Sequence, residues 1–367
     1  MVEWKKLGEY GSFENIGTDK KTVEGEKLVT LLNYVDVYHH KYIDSSIPQM
    51  IVSAPDKKIE ACSVEEGDIF VTPSSETVDD IGHSSLITET ISNAVYSYHI
   101  MRYRLFSKNL TLSHYINYAF DTNIVKKQIL KKAQGLTRFG VSKDKFASIE
   151  IPIPPLSEQE RIVGILDTFT ASIENLKEQI AQRRKQYEFY RDQLLDLEGK
   201  EGVEMKTLGE ISKKISSGKN KSKDIEGLYP VFGSTGIIAY CDEYVFDKPL
   251  ILVARVGANA GYVHLSYGKY DVTDNTLFIE LLDGVSQKYV YFNLIKEKIN
   301  RYAKGGGQPL ITSSVLKEII IPVPHLAEQS RIVSILDTFE ECIHNLEAQL
   351  EQREKQYEYY RNKLLTF

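Results

Sequence analysis

Three groups of basic residues hold the chemistry that bulk composition hides. They are Arg102, Arg104 and Lys108; Lys126, Lys127, Lys131, Lys132 and Arg138; and Lys213, Lys214, Lys219, Lys221 and Lys223. Clustered Lys and Arg neutralise phosphates locally, so a chain of formal net charge −6 can still hold nucleic acid. The same clusters are equally what a solvated face presents. Catalytic chemistry has less to stand on. No G-x-x-x-x-G-K-[ST] loop offers a cradle for ATP phosphates. No Asn/Asp-Pro-Pro-Tyr/Phe tetrapeptide for methyl transfer to adenine occurs, because Pro154-Pro155 follows isoleucine. Pro55-Asp56 is followed by Glu60, without the lysine two residues on that a nuclease centre would carry. His39-His40 and the other histidines lack metal-ligand spacing with cysteine or carboxylate, so neither a catalytic nor a metal site is expected.

The elements that must position these basic groups are laid out by duplication. Ile151–Leu195 recurs without a gap as Ile321–Leu365, with more than half the positions identical. The segments ahead of the two copies differ from each other. This divides the chain into a first head (1–150), a repeated segment (151–198), a second head with a short linker (199–320) and the second copy (321–367). Val203–Glu210 echoes Val2–Glu9, so the repeating unit is head plus segment, and the first head carries about 31 extra residues ahead of residue 125.

In the first copy, apolar residues fall alternately four and three apart: Ile162, Leu166, Phe169, Ile173, Leu176, Ile180, then Arg183, Tyr187, Tyr190 and Leu194. The second copy gives Ile332, Leu336, Phe339, Ile343, Leu346, Leu350, Arg353, Tyr357, Tyr360 and Leu364. That is the seam of a coiled coil. A helix of about 36 residues is about 54 Å long and leaves its stripe in water unless paired. The other copy is the nearest partner, and antiparallel pairing lets identical seams meet about one axis. Arg183 and Arg353 are the polar seam positions; each either fixes register or packs its stem and sends its head to solvent. Pro152, Pro154 and Pro155, and Pro322 and Pro324, hold the lead-in extended. Ser157 and Glu160 fit a capping box that Ala327 and Ser330 lack.

A chain of 367 residues, 42% apolar and 26% charged, has material for two or more globular domains. No run approaches 18 apolar residues, so no membrane partner is expected. The start MVEWKKLGEY has no signal-peptide core, and three scattered cysteines make no disulfide framework, both pointing to the cytoplasm. Each head mixes strands and helices. Strands are expected at 29–32, 69–71 and 94–98, then at 230–232, 250–254 and 277–279. Helices are expected near 110–119, 122–133 and 287–303.

The motif I-P-[IV]-P-x-L-x-E-Q-x-R-I leading into a heptad helix, twice, after two different heads, closely resembles the specificity (S) subunit of Type I restriction–modification systems. The resemblance covers the whole chain. Ser217-Gly218-Lys219, Tyr229–Gly236, Arg255–Gly261 and Thr273-Asp274-Asn275 look like the family's recognition-domain pattern, and Gly67–Thr77 is similar to a second variety. It implies an α+β chain: two mixed α/β target-recognition domains joined by two long helices in an antiparallel intramolecular coiled coil, with pseudo-two-fold symmetry. It implies double-stranded DNA, two modification (methyltransferase) subunits and restriction subunits as partners. S-adenosylmethionine, ATP and Mg would sit on those partners, with no cofactor on this chain. The residues expected to face DNA are Ser74, Ser75, Arg102, Arg104 and Arg138 in the first head. In the second they are Lys219, Lys221, Ser234, Thr235, Arg255, Asn259 and Gln308. The implied target is bipartite and non-palindromic. A Type IIB-like assembly and a two-headed adaptor without DNA are the alternatives.

Overall fold

A computed structural model describes residues 2–222 and 224–367, with the backbone alone at Leu110. Lys223 of the third basic group lies outside the described residues. The chain forms two compact units, Met1–Leu176 with Gln349–Phe367, and Lys177–Ala348. Each therefore holds one head and part of both long helices.

The first head begins with β1 (Glu3–Lys6), β2 (Gly11–Glu14) and β3 (Lys27–Leu32), followed by α1 (Tyr34–His39), β4 (Tyr42–Ile43), β5 (Met50–Ala54) and α2 (Asp56–Ala61). Next come β6 (Ile69–Val71), β7 (Ser74–Ser75), β8 (Ser84–Ile87), β9 (Ala94–Tyr96) and β10 (Met101–Leu105). The head closes with α3 (Leu110–Phe120), α4 (Asn123–Lys132), β11 (Phe139–Gly140), α5 (Lys143–Ala147) and β12 (Glu150–Ile153). One sheet runs β2-β10-β6-β8-β4 and a second β5-β3-β9. Ile69, Val71, Leu86, Met101 and Tyr103 of the first sheet pack against Tyr115, Ile116 and Phe120 of α3 and Phe146 of α5. Val29, Leu31, Val52, Val95 and Tyr96 build a separate core under the second. The 39-residue helix α6 (Leu156–Leu194) follows.

The second head is β13 (Glu204–Thr207), β14 (Ser212–Ser217), β15 (Tyr229–Gly233), β16 (Gly236–Cys241), β17 (Phe246–Asp247), β18 (Leu250–Ala254), β19 (Val263–Ser266), β20 (Lys269–Val272) and β21 (Thr276–Leu281). After these stand α7 (Gln287–Glu297), α8 (Ser313–Lys317), β22 (Ile320–Val323) and the 39-residue α9 (Leu326–Leu364). The expected helix 287–303 is broken at Lys298, whose φ of 52° is left-handed; a 3-10 turn, Ile299–Tyr302, continues from it.

The two heads share one frame despite their different sequences. β14-β21-β18-β19 repeats β2-β10-β6-β8, and β16-β15-β20 repeats β5-β3-β9. β15 runs parallel to β20 as β3 runs parallel to β9. Much of the first head's extra length is the stretch 33–49, where the second head turns from β15 to β16 over Ser234–Thr235. In both, a two-stranded ribbon joins the head's start to the helix lead-in, with Trp4 opposite Pro152 and Met205 opposite Pro322. A ribbon with free edges tolerates a proline that cannot donate to a ladder.

The helix starts correct one expectation. Ser157 lies inside α6, so it caps nothing. Gln159 instead donates from Nε2 to the Pro154 carbonyl at 2.8 Å, and Gln329 repeats this on Pro324 at 2.9 Å. Both copies contain that glutamine, which is why the second needs no serine. Each helix ends on the last of its seam residues, Leu194 and Leu364. Leu195 and Leu197 leave α6 and enter the core of the second unit, 1% and 5% exposed.

Within each unit the two helices meet antiparallel. In the first, Ile162 and Leu166 share a core with Leu364 and Leu365, while Phe169 faces Tyr357, Tyr360 and Arg353. In the second, Leu194 shares a core with Ile332 and Leu336, Tyr190 stacks on Phe339, and Arg184 pairs with Glu347 at 2.5 Å. Arg353 lays its guanidinium 5.7 Å above the Phe169 ring, and Arg183 bonds Gln186.

Candidate nucleic-acid interface

In the second head, backbone hydrogen bonds tie five loops into one edge. Gly218 donates to Thr276 and Asn220 to Val272, which fixes the loop carrying Lys219 and Lys221. Thr273 donates to Phe232, next to the turn that holds Ser234 and Thr235. Arg255 N–H donates to Asn275 at 2.9 Å, and its guanidinium reaches the Asp274 carbonyl at 3.2 Å. Ile311 donates to Arg255 and Gly257 to Pro309, placing the turn with Asn259 against the loop with Gln308. All seven residues expected to face DNA thus lie on this edge; Lys219, Lys221, Thr235, Asn259 and Gln308 are exposed. Asn275, also exposed on it, was missed, although it closes the Thr273-Asp274-Asn275 motif. A Cβ at Gly218 would meet the Val272 carbonyl oxygen at 1.8 Å, so only glycine lets this loop cross β20 so closely.

The first head builds the corresponding edge from other residues. Thr18 donates to Tyr96 at 2.7 Å, Ser97 to Leu32 at 2.9 Å and Val141 to Pro73 at 2.9 Å. Ser74 and Ser75 in β7 pair with Gly140 and Phe139 in β11. The Arg138 guanidinium donates to Ser74 Oγ at 3.2 and 3.3 Å. Tyr34 also belongs here: burial raises its phenol pKa, against the pull of Ser75 and Arg138. His99 joins them, its pKa lowered by burial and then by Lys20 and Arg138, so it is neutral at pH 7 and can donate and accept. Tyr34, His99 and Lys20 were not foreseen, since their neighbours are brought in by the sheet rather than by sequence. Ahead of the Arg138 loop, α4 exposes Lys126, Lys127 and Lys131.

Arg102 and Arg104 are corrections. They lie on β10, flanked by β2 and β6 on both sides. Arg102 is 6% exposed; it pairs with Glu14, donates to the Ser63 carbonyl at 2.8 Å and lies over the Tyr96 ring. Arg104 is held by Asp68 at 2.6 Å and Glu65 at 2.9 Å. Both guanidiniums are held by carboxylates of the fold, Arg102 nearly enclosed and Arg104 31% exposed, which turns them from DNA toward the head's own core. Outside the edges, Lys213 pairs with Asp283 and Lys108 with Glu66.

Among the described residues there is no group of three or more His, Cys, Asp and Glu placed to hold a metal ion, and no helix long and apolar enough to cross a membrane. What the edges offer is hydrogen-bonding and phosphate-binding capacity. Arg, Asn, Gln, Ser and Lys side chains on clustered loops are the groups that read base edges and grip backbones.

The family model described as "Type I restriction modification DNA specificity domain" matches residues 2–183 and 200–354. The chain is 28% identical over 369 residues to the Type I restriction enzyme EcoprrI specificity subunit of Escherichia coli, covering 92% of this chain and 88% of that one. It is 32% identical over 295 residues to the EcoR124I/EcoR124II specificity subunit of Escherichia coli, covering 71% and 72%. Its fold is similar to the crystal structure of the S subunit of a Type I restriction–modification system from M. genitalium, with a TM-score of 0.63 at 17% identity over 100% of this chain and 97% of that one. Twice-matched heads, each followed by a long helix, place this chain in the specificity-subunit family of Type I restriction–modification systems.

Proposed function

We propose that each head reads one half of an asymmetric, bipartite DNA target, and that α6 and α9 set the unread spacer by their length. The observation that carries this reading is the matched pair of loop edges: one frame in both heads, furnished with different side chains. A shared frame gives both heads the same approach to a groove, and different side chains make the two half-sites different. Lys219 and Lys221, and Lys126, Lys127 and Lys131, serve phosphates and set register.

Two modification subunits dock on the helices. Phe189 and Tyr359 are 62% and 59% exposed at corresponding positions of the repeat, outside the paired seam. An aromatic left in water at both equivalent places suits two copies of one partner. Methyl transfer, ATP hydrolysis and DNA cleavage belong to partner subunits, which bind S-adenosylmethionine, ATP and Mg. The protein works in the cytoplasm, where its DNA is.

The test is electrophoretic mobility shift of the complex assembled with its modification subunits, on genomic fragments sorted by methylation. Selective binding to one bipartite sequence is expected. A complex that assembles yet binds no sequence selectively would favour the adaptor.

A further inference from the structure

We propose that Arg138 and Gln308 are matched base-reading positions, Arg138 selecting a G·C pair in one half-site and Gln308 an A·T pair in the other. The inference rests on the DNA-reading function and names which residues perform it.

The two residues occupy the same place in the two heads. Gln134 and Gly140 exchange backbone hydrogen bonds of 2.9 and 2.8 Å, closing a loop over 135–139. Lys304 and Leu310 do the same at 3.1 and 2.9 Å, closing 305–309. Each loop opens on a glycine of positive φ, Gly135 at 141° and Gly305 at 113°. In each, the carbonyl of the residue in question folds back onto that glycine. A Cβ would meet the Arg138 oxygen at 1.9 Å from position 135, and the Gln308 oxygen at 2.8 Å from position 305. The next residue but two then anchors the loop to the end of a central strand, Val141 on Pro73 and Ile311 on Arg255. Sequence thus changes from Arg to Gln at a position whose backbone is held constant.

Both side chains are exposed, and among the described residues the Arg138 guanidinium hydrogen-bonds to the uncharged Ser74 hydroxyl, which orients it without neutralising it. Leu136, 96% exposed, stands on the same loop. An oriented guanidinium matches O6 and N7 of guanine, whereas a carboxamide matches N6 and N7 of adenine. A positioning residue for phosphate would gain nothing from changing Arg to Gln, since Gln has no charge to offer.

The experiment maps methylation by the complex of the full chain with its modification subunits. Wild type must first yield one bipartite target; if it yields none, the DNA-reading function itself has failed. Given that target, Arg138→Gln should change one G·C pair to A·T in one half-site, leaving the other half unchanged. Gln308→Arg should make the opposite change in the other half. An active variant with an unaltered target overturns the inference. If Arg138→Gln is inactive, Arg138→Ala is titrated against DNA carrying each base in turn along the half-site. Loss of discrimination of about 10- to 100-fold at a single position supports the inference. Equal weakening on every sequence marks a phosphate contact and overturns it.

Discussion

Phe169 stacks on Tyr360 with ring centroids 5.5 Å apart and planes 28° from parallel, and the repeat reproduces the contact between Tyr190 and Phe339 at 5.5 Å and 27°. Two contacts built from the same residue types in the two units are what duplicated helices make when they pair antiparallel. Truncating either phenylalanine removes a half-buried ring from its seam, and each change should destabilise its own unit by about 2 kcal/mol. Urea unfolding of Phe169→Ala, Phe339→Ala and the double variant checks this, and the two losses should add.

The seam was legible because a heptad is a local signal: each position is read from residues three and four away. The fate of the arginines was not. Arg102 and Arg138 look alike in sequence, each near aromatics and other basic residues. What separates them is that β10 is a central strand and that Glu14 stands opposite Arg102, a relation created by sheet pairing across 88 residues. The common frame of the heads was likewise hidden. Strand order depends on which faces are apolar, a constraint that many sequences satisfy, while the loops that differ dominate any comparison by eye. Gln159 and Gln329 were overlooked because a side chain reaching back to a proline carbonyl has no strong signature beside the more familiar serine cap.

Arg102 should therefore behave as a structural residue. Arg102→Ala removes a nearly enclosed side chain with its bonds to half-exposed Glu14 and the Ser63 carbonyl, and should lower stability by about 1–2 kcal/mol. The altered complex, where folded, should keep its target sequence. Thermal melting and methylation mapping on the same variant separate this from Arg138, whose removal should leave the melting temperature nearly unchanged.

His264 gives the second unit a pH dependence. Burial holds its pKa below the ordinary 6.5, and its Nε2 is enclosed without a hydrogen-bond partner among the described residues. The unfolded chain therefore takes up the proton first. Stability from this group is full above pH 6.5 and is lost as pH falls toward the folded value, at most about 1.4 kcal/mol per pH unit. Melting curves between pH 7.5 and 5 should show the decline, and His264→Phe, which fills the space beside Phe232, should remove that share of it.

Adding one heptad to each of α6 and α9 lengthens both helices by about 10 Å and preserves the seam. The methylated target should keep both specific halves and gain about three base pairs of spacer at 3.4 Å per step. A variant that methylates with the original spacing would show that the helices do not set it.

The division of labour between the heads is tested most directly by exchanging residues 1–150 for the corresponding head of a relative with a different target. Methylation of genomic DNA by the hybrid complex is then read base by base. One half of the recognition sequence should be replaced, and the other half, with the spacer, should stay as it was. Alteration of both halves, or of neither in an active hybrid, would contradict the account.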